Sequence, residues 1–263
     1  MPKIRIDQLM IERNQAQSLQ QAAALLMAGR VTADQQPVTL PGLLVSTNAE
    51  IVVTPSKPYV SRGGYKLAAA LEAFEVSVMN AVCADVGASM GGFTDVLLQH
   101  GAAKVYAIDV AYGDLDWTLR QDARVIALER TNARKLNALP EVVSVVTVDV
   151  SFISLKQILP VVRRWAAPTA GFIALIKPQF EAEKSQVEKG GVVKNRPVHQ
   201  AVLKAMLSWS LDNDFSVAGL IPSPLTGPAG NKEFLLYLTI GQAEMKKDAL
   251  QLIEDCLDQV EYL

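Results

Sequence analysis

Asp85-Val86-Gly87-Ala88-Ser89-Met90-Gly91-Gly92-Phe93 is the stretch that decides how this chain is read. An apolar run, Ala81-Val82-Cys83-Ala84, precedes it, and an apolar-periodic run reaching Gly101 follows. The pattern is strand, glycine-rich turn, helix. Glycine carries no Cβ, so a turn of this kind lets a ligand come close to the backbone. The next apolar run, Lys104-Val105-Tyr106-Ala107-Ile108, ends in Asp109. An acid about 20 residues beyond such a turn can hold the two hydroxyls of a ribose. The stretch therefore predicts a ligand that contains a nucleoside.

The glycine spacing narrows the ligand. A dinucleotide fingerprint reads G-x-G-x-x-G, whereas this turn reads G-x-x-x-G-G and lacks the glycine that admits a pyrophosphate. Asp85 leads into it. A carboxylate there repels phosphate and suits a cofactor with a cation and hydroxyls. S-adenosylmethionine has a sulfonium, an amino group and a ribose.

Outward from the turn, the chain alternates. Strands are predicted at 81–86, 104–109, 124–128, 144–149, 171–177, 216–221 and 234–240, with helical stretches between most of them. Such alternation gives a parallel sheet with helices on both faces. The last two strands are joined by a short Pro/Gly loop, which predicts antiparallel pairing of the last strand. Residues 244–263 read as a terminal amphipathic helix. Residues 1–58 form a separate small α+β module, with a helix from Ser18 to Met27, Ser18 as its N-cap and Gly29 as its stop. Residues 59–64 read as a linker, and a helix from Tyr65 to Phe74 opens the larger domain, 65–263. The fold class is α/β, a Rossmann-like sheet with a small N-terminal module.

Composition sets limits. The chain has 263 residues, 50% hydrophobic and 20% charged, with net charge −2. There is ample material for a core, and the whole protein is no polycation, so any nucleic-acid surface must be local. Cys83 and Cys256 lie in an apolar strand and a terminal helix without metal-like neighbours, which predicts buried thiols, no metal site and a reducing compartment. The N-terminus lacks an apolar signal region, and no apolar run approaches the ~18 residues that span a bilayer. The expectation is a cytoplasmic protein with no membrane partner.

Polar residues stand at strand ends, where ligands of such sheets bind. Asp149 ends Val145-Val146-Thr147-Val148, and Lys177 ends Ile173-Ala174-Leu175-Ile176 ahead of Pro178. A lysine closing a buried strand is unusual, because a buried ammonium is costly. Lys66 follows two glycines, and Glu233 opens the last strand. Two lysines and two carboxylates would balance one another if they met.

Six blocks in order carry a resemblance: Ser61-Arg62-Gly63-Gly64-Tyr65-Lys66-Leu67, the Asp85–Asp95 stretch, Glu129-Arg130-Thr131-Asn132-Ala133-Arg134, Asp149-Val150-Ser151-Phe152-Ile153-Ser154, Ile176-Lys177-Pro178-Gln179-Phe180-Glu181 and Gly230-Asn231-Lys232-Glu233-Phe234. They span nearly the whole chain, which resembles the TlyA (haemolysin A) family of ribosomal RNA 2′-O-methyltransferases. The larger domain is similar to FtsJ-type methyltransferases, whose Lys-Asp-Lys-Glu tetrad falls on Lys66, Asp149, Lys177 and Glu233. The first sixty residues resemble the RNA-binding domain of ribosomal protein S-four type.

The resemblance implies methyl transfer from S-adenosylmethionine to a cytidine ribose in ribosomal RNA, of the large subunit first and the small subunit also. A 2′-hydroxyl is a weak acid and a poor nucleophile, so the chemistry demands in-line positioning and removal of a proton. A lysine serves as base only when neutral, which a second ammonium and desolvation favour. Lys177 is expected to orient the hydroxyl or accept its proton, with Lys66 as second cation and Asp149 and Glu233 orienting the lysines. Asp85 is expected beside the methionine amino end, with Gly87, Ala88, Ser89, Gly91, Gly92 and Phe93 around the ligand, Asp109 on the ribose and Asn132 near the adenine. Arg5, Arg13, Arg30, Lys57 and Arg62 are the candidate RNA contacts, although five bases against four acids in residues 1–60 is a weak excess. Trp117 is expected to pack. The alternative is a catalytically silent RNA-binding or ribosome-assembly factor. A haemolysin finds no membrane signal, and an oxidoreductase conflicts with the glycine spacing.

Overall fold

The computed structural model describes residues 2–54, 58–240 and 248–260. The chain divides into two compact units, Met1–Pro58 and Tyr59–Leu263. The first holds β1 (Lys3–Arg5), α1 (Ile6–Glu12), α2 (Leu19–Met27), β2 (Val31–Ala33), β3 (Gln36–Val38), β4 (Leu44–Ser46) and β5 (Ile51–Val53). Ser18 caps α2, its Oγ accepting from Gln21 N at 3.1 Å, and Gly29 follows the helix end at φ +67°. β3 and β5 flank β2, while β1 pairs β4 in a second small sheet. Ile6, Met10, Leu26 and Val31 are buried together between these elements. The sequence pattern does not announce α1, β1 or β3, because elements this short complete too few periods to register.

The second unit begins with α3 (Gly63–Ala73). Residues 59–64, read above as a linker, belong to this unit, and Gly63 and Gly64 form the first turn of α3. A Cβ on Gly64 would lie 2.4 Å from the Tyr59 ring, so that glycine serves packing rather than flexibility. There follow β6 (Val82–Val86), α4 (Gly92–Gln99), β7 (Lys104–Ile108), α5 (Trp117–Gln121), β8 (Val125–Leu128), β9 (Val143–Val148), α6 (Leu159–Arg163), β10 (Ala166–Ile176), α7 (Pro178–Glu181), α8 (Arg196–Asp212), β11 (Phe215–Pro222), β12 (Phe234–Ile240) and α9 (Ala249–Asp258). The terminal helix expected over 244–263 is thus described over its central part. Residues 244–247 and 261–263 lie outside the described residues.

The sheet runs β11-β12-β10-β9-β6-β7-β8. Among the described strands of this sheet only β12 opposes the others, pairing antiparallel with both β10 and β11. The strands that directly follow β6, β7 and β8, go to one side, and β9 and β10 go to the other. That makes the carboxyl end of β6 a switch point, where a crevice opens.

Side chains alternate between the faces of a strand. Cys83, Val145, Ile173, Leu175 and Leu235 join the core under α3 and α4. Ala84, Val146, Phe172, Ala174, Leu236 and their neighbours face α8 and α9. Carried one step past the strand ends, the same alternation puts Asp149, Lys177 and Glu233 on the face that α3 covers. Lys66 belongs to α3. The register closes the gap: Ile176 pairs with Phe234, so Lys177 and Glu233 stand opposite each other just beyond the ladder.

Candidate active site

The four charged residues meet as two ion pairs. Lys66 and Glu233 bond directly and are almost fully buried, at 8% and 2% exposure. Lys177 Nζ lies 2.6 Å from Asp149 Oδ1. That contact is off the hydrogen-bonding direction, so buried Oδ1 has ionic pairing but, among the described residues, no hydrogen bond. Nζ donates instead to Ser151 Oγ at 2.9 Å. Each ammonium therefore faces a carboxylate, which offsets the cost of burial. Behind them, Glu181 ties two of the blocks together: its oxygens accept from Ser154 Oγ at 2.6 Å and Leu155 N at 2.7 Å. Burial pushes the Glu181 carboxyl up.

Beside Asp149 and Ser151 lies a cleft of about 510 Å³, a volume suited to a small cofactor. Gly87, Ser89, Asp109, Asn132, Asp149 and Ser151 are among its lining residues, with Val110, Ala133, Ile153 and Ile158 supplying apolar walls. Asp109 is fixed by the main chain: Ser89 N and Ala111 N each donate to one of its oxygens at 2.8 Å. A carboxylate has about four acceptor positions, so two remain for hydroxyls. Asn132 Oδ1 caps a short turn by accepting from Arg134 N at 3.0 Å. These features fit S-adenosylmethionine: a ribose acceptor at Asp109 and an apolar slot for a ring.

Other residues of the turn hold the chain against itself. A Cβ on Gly87 would meet Asp149 O at 2.2 Å, one on Gly91 would meet Leu119 at 2.3 Å, and one on Gly92 would meet Ser61 at 2.1 Å. Gly91, Gly92, Ala88 and Phe93 do not line the cleft, and Ala88 and Phe93 belong to the core. At Gly91 and Gly92 the close approach that glycine permits is by protein segments, whereas Gly87 both abuts Asp149 and lines the cleft. Asp85 also departs from expectation. It is fully buried and lines no part of the cleft. Thr94 Oγ1 and Thr147 Oγ1 donate to its oxygens at 2.7 and 3.0 Å. Burial raises its carboxyl to about 6 in spite of those bonds.

Sequence reasoning left Ser151 and Phe152 unassigned. Phe152 lines the cleft mouth at 91% exposure with φ +63°. That backbone conformation is a strained one for an aromatic residue. Its ring lies 5.2 Å from that of Phe180. Trp117, expected to pack, is 69% exposed.

The basic candidates are mostly engaged. Arg5 pairs with buried Asp7 at 2.7 Å. Arg13 donates to Ala49 O and Thr47 O, and Arg30 to Thr54 O. Arg62 is exposed at the start of α3. Lys57 lies outside the described residues. Cys83 and Cys256 are buried free thiols, both pushed up to about 12 by burial.

Comparison with known proteins gives the geometry its context. The FtsJ-like methyltransferase family matches residues 59–240. A Mycobacterium tuberculosis protein named 16S/23S rRNA (cytidine-2′-O)-methyltransferase TlyA is 46% identical over 240 residues, 90% of each chain. Hemolysin A of Brachyspira hyodysenteriae is 38% identical across 90% of this chain and 100% of its own. A solved Streptococcus thermophilus structure carrying the hemolysin name superposes with a TM-score of 0.74 at 38% identity, covering 98% of this chain and 96% of that one. With such matches over most of its length, the chain belongs to the TlyA family of FtsJ-like methyltransferases.

Proposed function

We propose that this protein transfers a methyl group from S-adenosylmethionine to the ribose 2′-hydroxyl of a cytidine in ribosomal RNA, in the large subunit first and in the small subunit also. The observation that carries the reading is the pairing of Lys66 with Glu233 and of Lys177 with Asp149 at adjoining strand ends, with Asp149 also lining the cleft. When bound, S-adenosylmethionine supplies a methyl carbon on a sulfonium. Asp109 would hold the ribose hydroxyls, Asn132 and the apolar wall would flank the adenine, and Asp149 would accept from the methionine end. Lys177, held between Asp149 and Ser151, orients the acceptor hydroxyl and, once it has given up its own proton, takes the hydroxyl proton as the oxygen receives the methyl group in line. Lys66 and Glu233 fix the other side of that hydroxyl. Phe152 offers an exposed ring to the acceptor base, as single-stranded RNA recognition favours.

The first unit would bind ribosomal RNA through Arg5, Arg13, Arg30 and Lys57, with Arg62 of the second unit added. A guanidinium has five N–H donors, so the arginines keep several after their internal bonds. This reading puts the protein in the cytoplasm, where its substrate is made. No helix among the described residues is long and apolar enough to cross a membrane. Transfer of tritium from labelled S-adenosylmethionine to ribosomal RNA tests the reading. Native protein should label RNA, and Lys177→Ala should not, while S-adenosylmethionine affinity is kept. Native activity in Lys177→Ala would overturn the tetrad assignment.

A further inference from the structure

Glu233 sits at the end of a loop, residues 223–233, rich in proline and glycine. Three backbone bonds shape that loop: Ser223 N to Glu233 O, Gly227 N to Asn231 O and Gly230 N to Gly227 O. Besides the Glu233 carboxylate on Lys66, Asn231 anchors it to the rest of the unit; Asn231 lies two residues before Glu233 and is 2% exposed. The Asn231 amide is used at both ends. Oδ1 accepts from Val193 N at 2.9 Å, and Nδ2 donates to Gly191 O at 2.8 Å.

The segment that Asn231 grips is a small hairpin. Glu188 and Val192 bridge antiparallel, and Gly190 and Gly191 turn at φ +100° and +77°. Val193 is buried, and its carbonyl accepts from His199 Nε2 at 3.1 Å. The buried His199 ring lies edge-on to Phe234, 5.4 Å away. Residues 191–193 are thus held from both sides by groups adjoining Glu233. The same segment descends from Lys177 through α7.

We propose that Asn231 is a positioning residue for methyl transfer: through the 191–193 strap it sets the place of the Glu233 carboxylate, and so of Lys66. An amide bonded twice to backbone has little freedom to yield, and a misplacement near 1 Å at reacting groups costs about 100-fold in rate. The inference rests on the proposed role of the tetrad.

Asn231→Ala tests it in the full-length protein. The expected result is a kcat lower by about 30–100-fold, with S-adenosylmethionine affinity within about twofold of native. Amide hydrogen exchange should rise in 188–194 and 227–233 together. In a Glu233→Gln background, scored by single-turnover transfer of labelled methyl, the same substitution should cost less than about threefold, because its effect runs through Glu233. Asn231→Asp keeps the acceptor for Val193 and loses the donor to Gly191. It should show an intermediate loss, and it carries the test if the alanine variant does not fold. A kcat within threefold of native, an equal loss in both backgrounds, or a loss confined to S-adenosylmethionine affinity overturns the proposal. Lys66→Ala and Lys177→Ala separate the two layers. If they keep activity, the tetrad reading fails. If they lose it while the Asn231 variants do not, only the strap fails.

Discussion

The two halves of the candidate site are built of different material. The donor side is a cleft at strand ends, where Asp109 is held by main-chain N–H groups and the walls are short apolar side chains. The acceptor side is four charged side chains in two pairs, one of them almost wholly buried. A site held by backbone survives many side-chain changes, because the fold itself supplies the donors. A site of buried charges does not: removing one partner strands the other, at a cost of about 3–5 kcal/mol. Single substitutions should therefore be far more damaging on the acceptor side than on the donor side.

Lys177→Ala is the hardest test of that contrast. Methyl transfer should fall by about 10³-fold or more, judged by positioning and proton removal together, while calorimetry finds S-adenosylmethionine bound as before. Equal damage to binding would merge the two halves. Gly87→Ala comes next, since Gly87 is where they touch. Its φ of +86° and a Cβ at 2.2 Å from Asp149 O force the end of β9 to move. A loss of about 2–4 kcal/mol is expected, seen as a lower melting temperature with activity lost alongside. An unchanged melting curve would mean that the halves are mechanically independent. Asp109→Ala is milder. Loss of charge-assisted bonds to a ribose is worth about 1.5–3 kcal/mol, so S-adenosylmethionine should bind roughly 10–100-fold more weakly with saturated kcat little changed. A collapse in kcat would place Asp109 in the chemistry.

The same contrast explains how much was legible in the sequence. Strand ends were readable because Val143–Val148, apolar but for Ser144 and Thr147, and the apolar run Ala170–Ile176 stop at Asp149 and Lys177. Charges at such ends have one region of space to occupy, which singled out Asp149 and Lys177, while joining Lys66 and Glu233 to them as a tetrad came from the family resemblance. The glycines were read as room for a ligand; Gly87 does line the cleft, yet Gly91 and Gly92 make room for Leu119 and Ser61. Sequence shows that a Cβ is absent and not what fills its place. Phe152 was missed for a related reason: nothing in Asp149-Val150-Ser151-Phe152 signals a left-handed aromatic. The strap from Gly191 to Val193 rests on contacts with Asn231, distant in sequence, that no local pattern records.

Asp85 is the residue on which the donor side is most narrowly defined, and its substitution should affect methyl transfer least. Its carboxyl sits beneath the cleft, bonded to Thr94 and Thr147. Burial lifts it from 3.8 to about 6, and nearby Asp149 adds to the rise. Between those values the folded protein binds more protons than the unfolded chain, so stability falls as pH rises through that window. Above about pH 6 the penalty is complete, about 3 kcal/mol at ~1.4 kcal/mol per unit. An asparagine at this position would be neutral throughout and could still bond to both threonine hydroxyls. Asp85→Asn should therefore match native stability near pH 4 and exceed it increasingly toward pH 7, as thermal melts across that range will register. Activity at saturating S-adenosylmethionine should change less than about threefold, because the side chain does not reach the cleft. A tenfold loss of S-adenosylmethionine affinity would return Asp85 to the donor half, and with it the first expectation drawn from the turn.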